Sequence, residues 1–380
     1  MTVCSYCHQR TIVRNGHKTI TIRFPKINEY PVLLKLKKQR FLCQSCHHTM
    51  IAQTTLVRPN HQISENTRQA ILLKLTEDRT IENIAQEFNV SPVSVNRIMG
   101  ELKDDLKPHY DQLPTVLCFD ELRSIGHQMS FIASNGQTHE PILMLPTRFN
   151  KDIYQYFINH YSLSSREEVT HVVVDFNAQY QSVIRQLFPN AQIVADNFHL
   201  VQMAQRALNQ SRVQLMKHYN VDSSEYRLLK FHWRLFLMNY DRLEKNKPQW
   251  FPHLHDHLTQ EAVVARGLNL DETFANTYRI AHEIIESCQK RNWNQFAQAL
   301  SETATVNPLL KTVTNTFKKQ RKPIQNMMSC TYSNGPLEGV NREIKQIKRT
   351  AYGYRNWNHF RLRIQIQFKI KIKKRRPIRK

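Results

Sequence analysis

The sequence predicts an α/β protein: a core of strands and helices, a long helical stretch behind it, and two small modules in front. Three observations predict this class. Apolar runs of strand length lie at 115–120, 127–134, 141–146, 170–175 and 191–196, and segments of helical character at 150–161 and 178–188 separate the later ones. Two cysteine pairs, Cys4/Cys7 and Cys43/Cys46, frame a Lys- and Arg-rich segment of β-like sequence. From about residue 64 to 108 the chain reads as helical.

Charge sets the class of partner. The chain has 54 Lys and Arg against 31 Asp and Glu, a formal net charge of +23. Such a surplus predicts attraction to a polyanion, nucleic acid first. An anionic membrane surface is the competitor, but no apolar run is long enough to span a bilayer, and the N-terminus shows no secretory pattern. Cys118, Cys288 and Cys330 leave an odd, scattered remainder that suits a reducing cytosol better than a disulfide framework. The expected location is therefore cytoplasmic, with the nucleoid.

Two residues between thiolates let one tight turn offer both sulfurs to a tetrahedral zinc, and two such turns close the site. Cys4, Cys7, Cys43 and Cys46 are the expected ligands, with His47 and His48 as possible competitors. A closed four-sulfur site folds its module and does not catalyse.

Residues 80–98 read as a helix-turn-helix. Ile81, Ile84, Ala85 and Phe88 repeat at helical spacing, Asn89-Val90-Ser91 turns the chain, and Ser91 with Pro92 opens the second helix. Val95 and Ile98 then face the core, leaving Ser94, Asn96 and Arg97 outside to meet a major groove.

Within the core, Asn135-Gly136 joins the second and third strands as a hairpin turn. The order is β-β-β-α-β-α-β. Asp120 and Asp175 each end an apolar run, and Glu338 opens a strongly basic helix. Strands that finish on a bare carboxylate waste desolvation energy unless something binds there. Neighbouring strands lie about 4.8 Å apart and paired catalytic metals about 3.5–4 Å, so two such aspartates can share one hard cation and reach a second. Oxygen ligands suit Mg²⁺ or Mn²⁺, which points to metal-dependent phosphodiester chemistry.

Each acid has a plainer reading. Glu121 rivals Asp120 but points to the opposite side of the strand. Asp196, with His199 three residues on, would cap a helix as well as support the site. Glu338 would be an ordinary early residue of a helix capped by Gly335 and begun by Pro336. Glu338, Arg342, Lys345 and Arg349 share one helix face, which would aim a metal ligand and a row of cations at a phosphate backbone; Lys348 stays unassigned. The segment 369–380 is a basic tail that would track DNA or stay disordered, and Trp233 and Trp250 read as core.

The cysteine pairs, Phe119-Asp120-Glu121, residues 174–180, residues 188–199 and the run 333–356 together resemble insertion-sequence transposases of the DDE type, in particular the ISL-three family. The resemblance covers nearly the whole chain. It implies a ribonuclease-H-like catalytic core, with Asp120, Asp175 and Glu338 as the catalytic triad holding Mg²⁺ or Mn²⁺ and an all-helical insertion between the last two. It implies binding of double-stranded DNA at terminal inverted repeats and at the target, strand cleavage and strand transfer, a supporting role for Asp196 and His199, and a homo-oligomer. The division expected is 1–57 for the zinc module, 58–110 for the helix-turn-helix, 111–217 with 331–362 for the core, 218–330 for the insertion and 363–380 for the tail. The family has a further short segment ahead of the first cysteine pair, so the N-terminus reads as shortened. Two other readings keep the modules and change the chemistry: a catalytically silent zinc/helix-turn-helix DNA-binding protein of transposase descent, and a structure-selective nuclease.

Overall fold

The computed structural model describes residues 2–107, 110–176 and 178–370. The chain forms two compact units, Met1–Pro108 with Ser124–Gln128 and Asn341–Lys380, and His109–Arg123 with Met129–Val340. No described helix is long and apolar enough to cross a membrane.

In the first unit, β1 (Ile12–Ile27) and β2 (Tyr30–Cys43) pair antiparallel as a long hairpin, and β3 (Thr49–Ile51) adds to β2. Asn28 and Glu29, both at positive φ, make its tip. Alternation gives the ribbon two faces: Ile22 is fully buried, whereas Lys35 and Lys37 are exposed. Three helices follow, α1 (Glu65–Lys74), α2 (Ile81–Glu87) and α3 (Pro92–Glu101), capped by Ser64, Thr80 and Ser91. Their core joins Ile71, Ile84, Val95 and Ile98 to Leu362 and Ile366 from near the C-terminus. That packing explains two departures from the expected division. Residues from 341 on group with the N-terminal modules, and 363–369 are helix, not tail. Buried Arg363 fixes the arrangement by donating to the carbonyls of Glu77 and Arg79 at 2.7 and 2.9 Å. The rest of the expected tail, 371–380, lies outside the described residues.

The second unit is built on a five-stranded mixed sheet of order β6-β5-β4-β7-β8. Its strands are β4 (Val116–Arg123), β5 (Met129–Asn135), β6 (Pro141–Leu145), β7 (His171–Val174) and β8 (Gln192–Ala195). β4, β5 and β6 pair antiparallel; β7 and β8 run parallel to β4. The helices α4 (Asn150–His160), α5 (Leu163–Glu167), α6 (Ala178–Leu187) and α7 (Asn197–Met216) alternate with the later strands. Phe119, Phe131, Phe157, Phe188, Val172 and Ile184 fill the core beside the sheet. The β5–β6 connection turns at Asn135 and Gly136 as expected, and the Asn135 side chain organises the loop by accepting from the backbone N–H groups of Gln137 and Thr138.

A helical stretch follows: α8 (Ser224–Phe231), α9 (Trp233–Leu237), α10 (Gln260–Leu268), α11 (Glu272–Lys290), α12 (Trp293–Ser301), α13 (Pro308–Lys319) and α14 (Arg321–Ser329). It is not wholly helical, since β9 (Gln249–Phe251) and β10 (Asp256–Leu258) form a small hairpin inside it. Trp233 and Trp250, expected in the core, are 37% and 50% exposed. The cause for Trp250 is strand alternation: Phe251 turns inward, so its neighbour turns out. The chain closes with α15 (Gly335–Thr350) and α16 (Trp357–Lys369).

Candidate functional site

The cysteine site is two copies of one turn. Cys4 donates its N–H to Gln9 O and accepts from His8 N; Cys43 donates to His48 O and accepts from His47 N, all at 2.9–3.0 Å. His8 and His47 take φ of 55° and 58° at matching positions. His47 thus serves through its backbone, while His48 stacks on Tyr6 with ring centroids 4.3 Å apart. The four sulfurs all lie within 4.8 Å of one another, with Cys4–Cys46 at 3.6 Å and Cys7–Cys43 at 3.5 Å. A zinc tetrahedron with bonds of about 2.3 Å has edges of about 3.8 Å. The sulfur cluster therefore supports a structural zinc.

In the helix-turn-helix, Val95 and Ile98 are buried as expected, and Asn89 turns the chain at φ 51°. Arg97 is exposed; Ser94 and Asn96 are half-buried. Ser94 is also engaged locally, since its N–H donates to the Ser91 hydroxyl and the two hydroxyls lie 3.0 Å apart. Val93, which sequence reasoning passed over, is the most exposed apolar side chain of α3 at 76%.

The acidic residues are placed by strand register. β4 does not end at Asp120 but continues to Arg123, held there by β5 alone, because the β4–β7 ladder stops at the pair Cys118–Val173. Asp120 and Asp175 each stand two residues beyond that pair. On the other side Val173 pairs with Val194, which puts Asp196 two residues beyond in its turn. Three aspartates thus occupy equivalent positions, Asp120 within β4 and Asp175 and Asp196 just past the ends of β7 and β8. Asp120 feels its neighbours: burial raises its carboxyl from 3.8 to about 6, and the charges of Asp175 and Asp196 add to the rise. The backbone N–H of Glu121, donating to Asp120 Oδ1 at 2.7 Å, works against the rise, as does the charge of His199.

Asp196 is 3% exposed and caps α7. It accepts from the Phe198 N–H at 3.3 Å to begin α7, and its other oxygen lies 2.6 Å from His199 Nδ1. That contact raises the His199 pKa above its ordinary value, with further help from Asp175 and Asp120. Glu121 points away from this row, as expected from alternation. It accepts from the Tyr180 hydroxyl at 2.7 Å and pairs with Arg148 at 2.8 Å, tying β4 to α6.

Glu338 arrives by a tether that the sequence did not reveal. Asn334, 5% exposed, donates from Nδ2 to the carbonyl of Phe119, the residue before Asp120, at 3.1 Å. Its own carbonyl accepts from the Glu338 N–H at 3.0 Å, so Asn334 and not Gly335 precedes the first turn of α15. Glu338 is thus held one helical turn from an atom adjacent to Asp120. Leu337, Val340, Ile344 and Ile347 form the buried stripe of α15, while Glu338, Arg342, Lys345 and Arg349 are exposed, as their spacing predicts. Lys348 differs from these, donating to Ser124 O at 3.3 Å. Among the described residues the four cysteines form the one group of three or more candidate ligand atoms close enough together to hold a metal ion.

Comparison with known proteins covers the same regions. A family model described as a transposase matches residues 117–364. A zinc-finger of transposase IS204/IS1001/IS1096/IS1165 matches 2–46, and a helix-turn-helix domain of transposase family ISL3 matches 52–101. A transposase for insertion sequence element IS1001 from Bordetella parapertussis is 20% identical over 377 residues, 95% of this chain and 87% of that one. An ATP-dependent protease from Lactococcus lactis subsp. lactis is 33% identical over 107 residues, 28% of this chain; the chain spans only 34% of that protein's length.

Proposed function

The chain belongs to the ISL3 family of transposases, and from that premise we propose that Asp120, Asp175 and Glu338 form a DDE catalytic site for DNA strand cleavage and strand transfer. The observation that carries the reading is the row of in-register aspartates, in which half-buried Asp120 is raised to about 6 beside Asp175 and Asp196. Such a donor set is acidic and made of oxygens, which fits Mg²⁺ or Mn²⁺ held by Asp120, Asp175 and Glu338. Bound there, a pair of these ions supplies activation of an attacking water or 3′-hydroxyl oxygen and charge stabilisation at the leaving oxygen.

The remaining roles fall to the chain's own side chains. Asp196 orients His199 and favours its protonated form, which would present a cation beside the row to a phosphate oxygen. Arg342, Lys345 and Arg349 continue the Glu338 face of α15 and would bind the phosphate backbone. The sheet order and the helical stretch between Asp175 and Glu338 support a ribonuclease-H-like core with an insertion that is mostly helical. Arg97 and its neighbours on α3 would read the element's terminal repeats, and paired ends call for a homo-oligomer.

The test is nicking of DNA that carries the element's own end, with and without Mg²⁺ or Mn²⁺, by the parent and by Asp175→Asn. Metal-dependent nicking lost in the variant is expected. Tight, specific end binding by the parent with no cleavage under any of these conditions would refute the catalytic reading and leave a DNA-binding protein.

A further inference from the structure

The helical stretch displays a ring-rich, cationic surface that the chemistry above does not use. On the β9–β10 hairpin, Trp250 and His257 face each other across the strands and share the solvent side, with ring centroids 5.1 Å apart. His255 joins them at 6.4 Å from Trp250. Beside the hairpin, His253 stacks on Phe231 at the end of α8, with centroids 3.7 Å apart and planes within 13°. Phe231 is 45% exposed, and the three histidines are exposed too. His232 extends the array inward, with its ring 6.1 Å from His253 and 5.0 Å from Phe251, the buried anchor of the hairpin.

Cations are interleaved with these rings. Lys230 Nζ lies 5.4 Å from the Phe231 ring centre and 5.1 Å from that of Tyr226, and the Arg234 guanidinium sits 5.1 Å over Trp233. A solvated face of ordinary composition would not hold Phe231, Trp233 and Trp250 in water next to Lys230 and Arg234, since each exposed ring forgoes its burial. Flat π-faces at intervals, with charges between them, are what unpaired bases and their phosphates match. A duplex keeps its bases stacked inside and has no use for such rings.

We propose that the surface formed by α8, α9 and the β9–β10 hairpin binds single-stranded DNA, with bases stacking on Trp250 and on the Phe231–His253 pair and phosphates held by Lys230 and Arg234. The proposal rests on the strand-cleaving reading only for the source of the unpaired strand. Binding itself needs no cleavage, so the two can fail separately.

The experiment is fluorescence anisotropy of the full chain with a labelled single-stranded oligonucleotide of about 12 nucleotides, and with a duplex of the same length, no divalent ion being added. Trp250→Leu should weaken single-strand binding about tenfold and leave duplex binding unchanged, whereas Trp250→Phe should stay near the parent. Because Trp250 lies on the solvent side of its hairpin, its truncation opens no core cavity, and the phenylalanine variant controls for folding. Equal single-strand affinity of the parent and Trp250→Leu would overturn the proposal. An equal loss on the duplex would do so too. Reduced self-association of Trp250→Leu in sedimentation, with DNA binding intact, would instead assign the surface to a second copy of the chain.

Discussion

Replacing Asp120 by asparagine removes a charge that the folded sheet is poorly equipped to hold. Its carboxyl rises from 3.8 to about 6 on folding, a gap of about 2 units. At about 1.36 kcal/mol per unit, the ionised side chain costs the fold on the order of 3 kcal/mol. Because the folded-state value is the higher one, the cost is absent below the unfolded value of 3.8, grows as pH rises through the interval, and is complete above about 6. An asparagine can still accept the Glu121 N–H at Oδ1, so the substitution keeps that hydrogen bond while deleting the charge. Without added metal, Asp120→Asn should therefore be more stable than the parent by on the order of 3 kcal/mol at pH 7.5, by about half that near pH 5, and by little at pH 4. Hydrogen exchange of the β4 and β7 amides, converted to opening free energies, reads the sheet itself and avoids assuming that two units unfold together. Mg²⁺ should narrow the gap by stabilising the parent alone. A variant no more stable than the parent at pH 7.5, or a gain that does not shrink on acidification, would refute the account of Asp120 as a carboxylate held in place for a cation.

Two further outcomes follow from the same geometry. Tyr180→Phe deletes the hydroxyl that donates to Glu121 and should cost about 1.5–3 kcal/mol in urea unfolding, the range for a hydrogen bond to a charged group; a loss below about 0.5 kcal/mol would mean that the carboxylate is satisfied without the hydroxyl. Cys43→Ser should abolish stoichiometric zinc by atomic absorption and with it specific DNA binding, and a variant that keeps its full zinc content would contradict the four-sulfur site.

What the sequence made legible was whatever depends on local spacing. The cysteine pairs, the Ser91–Pro92 helix start, the buried positions Val95 and Ile98, and the alternation that separates Asp120 from Glu121 all follow from periods of two or of three to four residues. What stayed hidden depends on partners far along the chain. The extension of β4 past Asp120 is set by β5, the start of α15 by the Asn334–Phe119 hydrogen bond across 215 residues, and the fate of 363–369 by packing on α1 to α3. Trp250 was misjudged because two short strands inside a helical stretch have too few residues to show their period.

The register also narrows where a cation is needed. Asp120, Asp175 and Asp196 stand at equivalent positions, yet their surroundings differ. Asp196 sits at the N-terminus of α7, where the helix dipole and the Phe198 N–H favour negative charge, and His199 supplies a partner on its other oxygen. Its burial to 3% exposure is therefore compensated from within the protein. Asp120 accepts the Glu121 N–H within β4, and its carboxyl still moves to about 6. That rise falls on the β4–β7 side of the row, next to the carbonyl that accepts from Asn334 and so tethers the first turn of α15. On the proposed reading a cation would relieve that rise at Asp120 and Asp175, while Asp196 caps α7 and holds His199 on its other oxygen.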